Sequence, residues 1–323
     1  MKRVAVLTSG GDAPGMNAAI RAVVRTGVLQ GFTMFGVRHG YAGLLRGELV
    51  PLGARDVGGI IHLGGTMLGT SRCEVFKTEQ RQRDAIDQLR NHDIAALIII
   101  GGNGSQTGAH ALSQLGMPVV GVASTIDNDL LGTDISIGAT TALDIALESI
   151  DRLRVTARAH GRAFLVEVMG RHCGYLAAAA AIAGGAEAAV VPEASDGPED
   201  VARQLRASRD RGKSHAIVVV AEGARNNAEA LSAYFAEHSE RLGFELRVTR
   251  LGHIQRGGAP NAHDRLLATH LGVAAIDRVL AGNYGVLVGS CNGAVAATPL
   301  SEVASRSKSL DLGLLRLAHS LAL

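Results

Sequence analysis

Short runs of aliphatic and β-branched residues recur along the chain, and each run ends in glycine or a small polar residue. The clearest runs cover residues 4–7, 96–100, 119–122, 164–168, 216–220 and 286–288. Runs without a polar alternation are typical of parallel strands that are buried on both faces. Segments of helical period separate these runs, so the pattern predicts an α/β fold in which helices cover open sheets.

Two of the intervening segments carry a clear helical pattern. Residues 17–30 follow a Pro-Gly turn, and residues 141–154 place an apolar side chain at every third or fourth position. An apolar stripe of this kind packs against a core. Residues 193–200 and 225–229 are polar and rich in turn-forming residues, which predicts surface loops there.

Length, charge and glycine content narrow the possible functions. The chain has 323 residues, enough for one large or two medium domains. Its 32 basic and 30 acidic residues give a net charge of +2, so no global field favours nucleic acid or an anionic membrane. Glycine accounts for 41 of the 323 residues, well above the usual ~7%, and many of these glycines follow predicted strands. Ligands bind at the carboxyl ends of strands in open sheets, so we expect any anion site there.

The cysteines indicate a cytoplasmic protein. Cys73, Cys173 and Cys291 are odd in number, far apart and without a Cys-x-x-Cys pair, which favours reduced thiols over disulfides or structural zinc. The first apolar run stops at Gly10, too early for a secretory signal. The alanine-rich residues 177–183 fall short of the roughly 20 that a membrane span needs. We therefore expect no membrane association.

Two glycine-rich segments follow predicted strands and precede predicted helices. Residues 8–20 read TSGGDAPGMNAAI, and residues 98–105 read IIIGGNGS. Free N–H groups at a helix start attract anions, and glycine lets the backbone approach a ligand closely. The first segment matches neither G-x-G-x-x-G nor Walker A, and taken alone a purely structural turn is an equal alternative. Together the two segments suit a polyphosphate.

The segment TIDND, residues 125–129, follows the third predicted strand and presents Asp127 and Asp129 two residues apart. If the segment is extended, both carboxylates lie on one side. A close pair of carboxylates serves general-base catalysis or magnesium binding, because Mg²⁺ prefers oxygen ligands. A solvated acidic turn is the alternative.

Arginines in similar turns are candidates for phosphate binding: Arg72, Arg162, Arg171 and Arg256. Guanidinium groups match phosphate oxygens and can neutralise charge that develops during phosphoryl transfer. Taken singly, each arginine is more often a surface ion-pair residue, and a lone histidine such as His253 is more often packed or exposed. Tyr41 and Phe76 are equally well interpreted as packing residues.

Five motifs, in this order and spacing, resemble those of the bacterial ATP-dependent 6-phosphofructokinase family: TSGGDAPGMNAAIR, GGNGS, TIDND, EVMGRHCG and LGHIQRGG. The resemblance covers essentially the whole chain. It implies two Rossmann-like open-sheet domains with the active site in the cleft between them. Residues 1–138 with about 251–300 would bind ATP, and residues 139–250 with about 301–323 would bind the sugar phosphate.

The resemblance further implies the reaction and the assembly. Magnesium ATP would phosphorylate fructose 6-phosphate at its 1-hydroxyl, giving fructose 1,6-bisphosphate and ADP, the committed step of glycolysis. The enzyme would be a homotetramer. An effector site for ADP or phosphoenolpyruvate would contain Arg21, Arg25, Arg154, Gly185, Glu187, Arg211, Lys213, Ser214 and His215. Ala54 and Ser214 replace basic residues of the family pattern, so the effector and the sign of regulation stay open.

Roles for individual positions also come with the resemblance. Asp127 would be the general base, flanked by Thr125 and Asp129, and the transferring phosphoryl group would be stabilised by Gly11, Arg72 and Arg171. ATP would lie along Gly11, Tyr41, Arg72, Cys73, Lys77, Gly102, Asn103, Gly104 and Ser105, with Mg²⁺ at Asn103 and Asp129. The sugar phosphate would contact Thr125, Ile126, Asp127, Arg162, Met169, Gly170, Arg171, Glu222, Arg247, His253 and Arg256. Of these, Arg162 and Arg247 would come from a neighbouring subunit.

The chain departs from the family pattern next to the predicted phosphates. Asn103 stands where the family usually has an aspartate that helps bind magnesium. Gly104 and Ser124 lack the charges typical of pyrophosphate-using relatives, which favours ATP. Two alternatives are a pyrophosphate-dependent enzyme and a sensor that binds sugar phosphate or nucleotide without efficient turnover. An NAD-dependent dehydrogenase is disfavoured because no G-x-G-x-x-G follows the first predicted strand.

Overall fold

A computed structural model describes residues 2–239 and 246–322 of the chain. Met1, residues 240–245 and Leu323 fall within the predicted domain ranges but lie outside the described residues. The chain divides into two compact units, each made of two segments. Unit 1 contains Met1–Thr141 and Arg256–Lys308, and unit 2 contains Ala142–Gln255 and Ser309–Leu323.

Strands and helices alternate along most of the described chain. The strands are β1 (Arg3–Thr8), β2 (Thr33–Val37), β3 (Leu49–Leu52), β4 (Ile94–Gly101), β5 (Val119–Ala123), β6 (Ala163–Val168), β7 (Ala188–Val190), β8 (Ala216–Ala221), β9 (Leu246–Arg250), β10 (Val286–Cys291) and β11 (Ala294–Pro299). The helices are α1 (Met16–Leu29), α2 (Gly40–Leu45), α3 (Glu79–Asn91), α4 (Asn103–Gln114), α5 (Ala139–His160), α6 (Tyr175–Ala183), α7 (Pro198–Asp210), α8 (Ala228–Glu237), α9 (Ala262–Leu280), α10 (Leu300–Ser305) and α11 (Leu312–Leu321). Short 3₁₀ helices cover Glu74–Lys77 and Gly252–Gln255.

The sheet of unit 1 has the strand order β11-β10-β5-β4-β1-β2-β3. Its central strands run parallel, and the edge strands β3 and β11 run antiparallel to their neighbours. The side chains of β1 and β5 are almost all buried, which is what their uninterrupted apolar sequences require. Because β1, β4 and β5 are adjacent and parallel, the loops at their carboxyl ends lie at one edge of the sheet.

The sheet of unit 2 has the strand order β7-β8-β6-β9, and all its strands are parallel. Its core contains aliphatic residues of β6 and β8 with Leu205 from α7 and Phe235 from α8. The alanine-rich segment forms the buried helix α6. None of the helices in the described part of the chain is long and apolar enough to cross a membrane.

A buried aspartate fixes the start of α5. Asp264, in the first turn of α9, is 0% exposed. Its carboxylate accepts hydrogen bonds from the Gly138 N–H at 2.9 Å and from the Thr141 N–H and hydroxyl at 2.8 and 2.6 Å. Main-chain N–H groups at a helix start lack partners within the helix, so Asp264 supplies the acceptor that they need.

The predicted α/β fold is confirmed, and each of the six predicted strands is present. The surface-loop prediction is wrong at the ends of both polar segments. Pro198 begins α7, whose start is capped by Asp200, and Ala228 begins α8, whose start is capped by the Asn227 side chain. The same residue types form turns and helix caps, so polarity alone does not separate the two.

Candidate functional site

A cavity of about 610 Å³ lies in unit 1 at the carboxyl ends of β1, β4 and β5. Every residue that the resemblance assigned to ATP or Mg²⁺ lines this cavity: Gly11, Tyr41, Arg72, Cys73, Lys77, Gly102, Asn103, Gly104, Ser105 and Asp129. Thr125, Asp127 and Arg256 line it as well. The structure thus brings both glycine-rich segments and the carboxylate pair around one space.

The loop after β1 forms one wall. Thr70 donates its hydroxyl to the Gly10 carbonyl at 2.8 Å. A Cβ added at Gly11 would lie 2.9 Å from the guanidinium carbon of Arg256, so only glycine lets the arginine approach this closely. Arg256 in turn donates to the Asp12 carbonyl at 2.9 Å. The prediction gave Arg256 to the sugar phosphate, and the structure places it beside Gly11 in the cavity of unit 1.

The loop after β4 forms the floor and leads into α4, which begins at Asn103. Ser105 donates its hydroxyl to the Ser9 carbonyl at 2.8 Å and so ties the two glycine-rich loops together. The first N–H groups of a helix have no partner within the helix and carry partial positive charge. The start of α4 therefore provides a site for an anion. The loop after β1 contributes no helix start to the cavity, because α1 begins only at Met16. The residues of that loop that line the cavity are Ser9, Gly10 and Gly11.

A flat aromatic pair forms another wall. The rings of Tyr41 and Phe76 stack with centroids 4.0 Å apart and planes at 14°. The Tyr41 hydroxyl donates to the Ser105 carbonyl at 2.6 Å. Burial raises the pKa of Tyr41, so the phenol stays neutral and remains a donor. The pair is therefore a rigid part of the cavity and not only core packing.

The loop after β5 carries the carboxylates and is not extended. The chain turns at Ile126 and Asp127, and Asn128 has a φ of +50°. The argument from strand periodicity is therefore wrong, although Asp127 and Asp129 both line the cavity. The Asp127 N–H donates to the Thr125 hydroxyl at 3.2 Å, and Asn128 accepts the Ser136 N–H at 3.1 Å. These bonds hold the turn in place.

A second predicted set lies in unit 2 at the carboxyl ends of β6 and β8. The Glu222 N–H donates to the Val168 carbonyl at 2.9 Å, and the Gly223 N–H donates to the Gly170 carbonyl at 3.2 Å. These bonds place Met169, Gly170 and Arg171 next to Glu222. Gly170 has a φ of +137°, a conformation that requires glycine. Arg171 and Glu222 are exposed.

The other predicted sugar-phosphate residues lie apart from that set. Arg162 immediately precedes β6, and Arg247 lies on the edge strand β9, where Phe164 pairs with it. His253 is exposed in the short 3₁₀ helix Gly252–Gln255. Ile126 is fully buried, so only its main chain can contact a ligand.

Five of the predicted effector residues form a cluster in unit 2. Arg154 donates to the carbonyls of Gly184 and Gly185. Lys213 donates to the buried carboxylate of Glu187 at 3.1 Å, and the other oxygen of Glu187 accepts the Ile217 N–H at 2.6 Å. Burial lowers the pKa of His215, Glu187 opposes this shift, and Arg158, Arg154 and Lys213 add to it. The cluster is polar and carries excess positive charge.

The remaining effector candidates are more dispersed. Arg211 donates to the Ala322 carbonyl at 3.0 Å, and Ser214 is exposed. Arg21 and Arg25 lie on α1 in unit 1, where Arg21 is half-buried and Arg25 is exposed.

Sequence reasoning missed two groups of residues. Arg158 belongs to the His215 cluster, and its position four residues after Arg154 on α5 is the signal that could have found it. The cavity is also lined by Thr107, Gly108 and Ala111, which continue the face of α4 that begins at the predicted Gly104. Their i, i+3, i+4, i+7 spacing marks this face.

Comparison with known proteins points to one family. A family model described as Phosphofructokinase matches residues 3–279. The ATP-dependent 6-phosphofructokinase 1 of Thermus thermophilus is 53% identical over 325 residues, covering 100% of both chains. The ATP-dependent 6-phosphofructokinase of Halalkalibacterium halodurans is 48% identical over 323 residues, also covering 100% of both chains.

A solved structure gives the same result. The phosphofructokinase of Saccharomyces cerevisiae superposes with a TM-score of 0.88 at 38% sequence identity. The similarity covers 100% of this chain and 48% of the yeast chain.

Proposed function

This chain belongs to the phosphofructokinase family and transfers a phosphoryl group from ATP to fructose 6-phosphate, and we propose that the cavity of unit 1 binds the ATP. One observation carries this assignment. Two glycine-rich loops joined by the Ser105–Ser9 hydrogen bond share a cavity with Asp127 and Asp129. Such a cavity offers main-chain donors for phosphates and a carboxylate for proton transfer in one place.

Different residues of the cavity bind the phosphates and the base of ATP. The phosphates lie against Gly11 and the start of α4, with Arg72 and Lys77 as nearby cations. The flat base packs against the α4 face beside the wall that contains Tyr41 and Phe76, since Tyr41 itself already contacts Gly108. Aromatic and small side chains provide an apolar slot for a planar ring.

Asp127 is the general base in this proposal. Its carboxylate takes the proton of the sugar 1-hydroxyl as that oxygen attacks the γ-phosphorus in line. Thr125 accepts the Asp127 N–H at 3.2 Å and so fixes the direction of the turn. The N–H of Gly11 and the guanidinium group of Arg72 stabilise the charge on the transferring phosphoryl group. Positioning and electrostatic stabilisation of this kind supply most of the catalysis in phosphoryl transfer.

The donor set fits a magnesium ion that arrives with the nucleotide. Asn103 and Asp129 line the cavity together, and the Asn103 amide nitrogen lies 3.3 Å from the Asp129 main-chain oxygen. Within residues 2–239 and 246–322 no group of three or more His, Cys, Asp or Glu side chains could hold a metal ion. Mg²⁺ in kinases is held by one or two carboxylates plus the substrate phosphates, whose charge it neutralises. Asp129 and the Asn103 amide oxygen would hold it here.

Replacing Asn103 with aspartate is expected to lower the Mg²⁺ concentration needed for half-maximal rate by about threefold to tenfold, because a carboxylate binds Mg²⁺ more strongly than an amide. The Asn103→Ala variant is the matched control and should raise that concentration. The measurement is the initial rate at fixed ATP over a series of Mg²⁺ concentrations. An unchanged requirement in both variants would remove Asn103 from the metal site.

The sugar phosphate is assigned to unit 2. Met169, Gly170, Arg171 and Glu222 are held together by the hydrogen bonds between the ends of β6 and β8. We assign Arg162 and Arg247 of a neighbouring subunit in a homotetramer, together with His253, to the 6-phosphate. None of Cys73, Cys173 and Cys291 forms a disulfide, which supports a cytoplasmic location.

The test of the proposed function is a coupled assay of fructose 6-phosphate phosphorylation with magnesium ATP and, separately, with magnesium pyrophosphate. Turnover with ATP alone is expected. Ser124, at the end of β5, is only 1% exposed and adds no cation for pyrophosphate. Turnover with pyrophosphate alone would contradict the assignment of ATP as the phosphoryl donor. A folded protein that binds the sugar phosphate and turns over neither donor would be a sensor.

We assign the His215 cluster to a phosphate-bearing effector, ADP or phosphoenolpyruvate. His215 is mostly neutral at pH 7 because its pKa lies below the ordinary value, through burial and the nearby cations Arg158, Arg154 and Lys213. As the pH falls through that pKa, the ring gains a positive charge, and an anion should bind more tightly. The carboxylate of Glu187 lies beside it and favours protonation.

The effector is therefore expected to bind about fivefold more tightly near pH 5.5 than near pH 7.5, the effect of one charge interaction of about 1 kcal/mol. Calorimetric titration of ADP and of phosphoenolpyruvate at both pH values measures this. The His215→Asn variant separates the contribution of the histidine from titration of the effector itself. Equal pH dependence in the variant and the parent would contradict the role of His215.

A further inference from the structure

The Asp129 main chain is held from two sides. Its carbonyl accepts the Lys308 main-chain N–H at 2.9 Å and the Asn103 side-chain amide at 3.3 Å. Lys308 ends the second segment of unit 1 and lies outside residues 3–279, which match the family. A residue far along the chain therefore contacts the loop that carries both cavity carboxylates.

The Lys308 side chain contacts the same loop at a second place. Its ammonium donates to the Thr133 carbonyl at 3.0 Å and to the Asp134 carbonyl at 2.6 Å. Hydrogen bonds from a charged donor are stronger than those between neutral groups. Lys308 is half-buried, so solvent competes with these bonds less than at an exposed lysine.

The contact reaches the carboxylates through Asn128. The Asp134 carbonyl that accepts the Lys308 ammonium also accepts the Asn128 side-chain amide at 3.1 Å. Asn128 stands between Asp127 and Asp129 and holds the left-handed backbone of the turn.

Asp134 is also held by its own N–H, which donates to the Ser290 carbonyl at 2.7 Å, and by its carboxylate, which accepts the Asn292 N–H at 2.6 Å. Loss of the ammonium would therefore loosen the Asp134 carbonyl, and with it the Asn128 amide, without freeing the whole segment.

We propose that Lys308 is a positioning residue that holds the loop of residues 129–134 and thereby sets the orientation of Asp127 and Asp129. This role rests on the proposed function of the two carboxylates. The hydrogen bonds of Lys308 reach Asp129, Thr133 and Asp134, so we expect its main effect on the chemical step and not on nucleotide binding. Small errors in the placement of a catalytic group reduce turnover strongly.

Three variants test the proposal. Lys308→Met keeps the length of the side chain and removes the donor, so kcat should fall about 30-fold while the KM for MgATP stays within about twofold. Lys308→Arg can still donate and should restore kcat to within about threefold of the parent. Arg306→Met is the matched control, since Arg306 lies in the same segment and only pairs with the exposed Glu302 at 3.6 Å. It should leave kcat and KM unchanged.

Hydrogen exchange provides a readout that does not depend on turnover. Amides of residues 125–136 should exchange faster in Lys308→Met than in the parent or in Arg306→Met, with the thermal midpoint little changed. An unchanged kcat and exchange rate in Lys308→Met would overturn the proposal, and so would a general loss of folding that Lys308→Arg does not rescue. If the parent enzyme itself turns over no donor, the proposed function fails, and the exchange data still decide whether Lys308 holds the loop.

Discussion

Replacing Asp127 with serine is expected to lower kcat by about 10³-fold to 10⁴-fold, while the KM for fructose 6-phosphate and the Kd for ATP change by less than about threefold. Asp127 lines the cavity together with the two glycine-rich loops, and no other residue is proposed to take the proton of the sugar hydroxyl. Serine removes the base but leaves the Asp127 main-chain bond to Thr125 possible. The loss should therefore fall on the chemical step.

Steady-state kinetics and nucleotide titration of the purified variant measure this split. Asp84→Ser is a suitable control, because Asp84 lies on α3, outside the lining of the cavity, and pairs with Arg81 at 3.1 Å. It should retain full kcat. A loss below about tenfold in Asp127→Ser would mean that another group accepts the proton.

Replacing Asp264 with alanine is expected to lower the free energy of unfolding by about 4 kcal/mol, because it leaves three buried donors of Gly138 and Thr141 without an acceptor. Each unsatisfied buried donor costs about 1–3 kcal/mol. For a unit of this size the thermal midpoint should fall by about 10 °C. The Asp264→Asn variant keeps one acceptor oxygen, so its thermal midpoint should lie between those of the parent and of Asp264→Ala.

Differential scanning calorimetry at one fixed protein concentration checks this prediction. Asp277→Ala is the control, since Asp277 lies exposed on the same helix α9. It should shift the thermal midpoint by about 2 °C or less. A similar shift in both variants would show that loss of charge on α9, and not the cap on α5, causes the change.

Parallel strands such as β1 and β5 could be predicted because they are buried on both faces and therefore uniformly apolar. β2 also lies inside its sheet but was missed, because it is only partly buried and its sequence TMFGV gives no such run. The edge strands could not be predicted. β9 reads LRVTR, with polar side chains at alternate positions, and β3 contains Pro51, which only an edge or strand end tolerates. Local composition gives little signal for strands that are partly exposed. The starts of α7 and α8 were missed because their caps are made of loop-forming residues.

The candidate site could be predicted in outline from the residues that follow each strand. The contacts that hold its loops together could not be predicted, because they join segments that are distant in the chain. Arg256 reaches Asp12 across 244 positions, and Lys308 reaches Thr133 across 175. No periodic pattern marks such pairs. The turn at Asp127 was missed for a related reason, since the left-handed Asn128 is fixed by Asp134 and Ser136 and not by its own neighbours.

Because unit 1 consists of two segments, it cannot be completed until the second segment has been synthesised. β10 pairs with β5, and α9 packs against α1, yet both follow the whole of residues 142–255 in the chain. While the ribosome makes that stretch, β5 is an open sheet edge and the buried side of α1 has no cover. Open edges and apolar faces promote aggregation. Nascent chains halted near residue 250 should therefore depend most on chaperones, and release of the last segment should end that dependence.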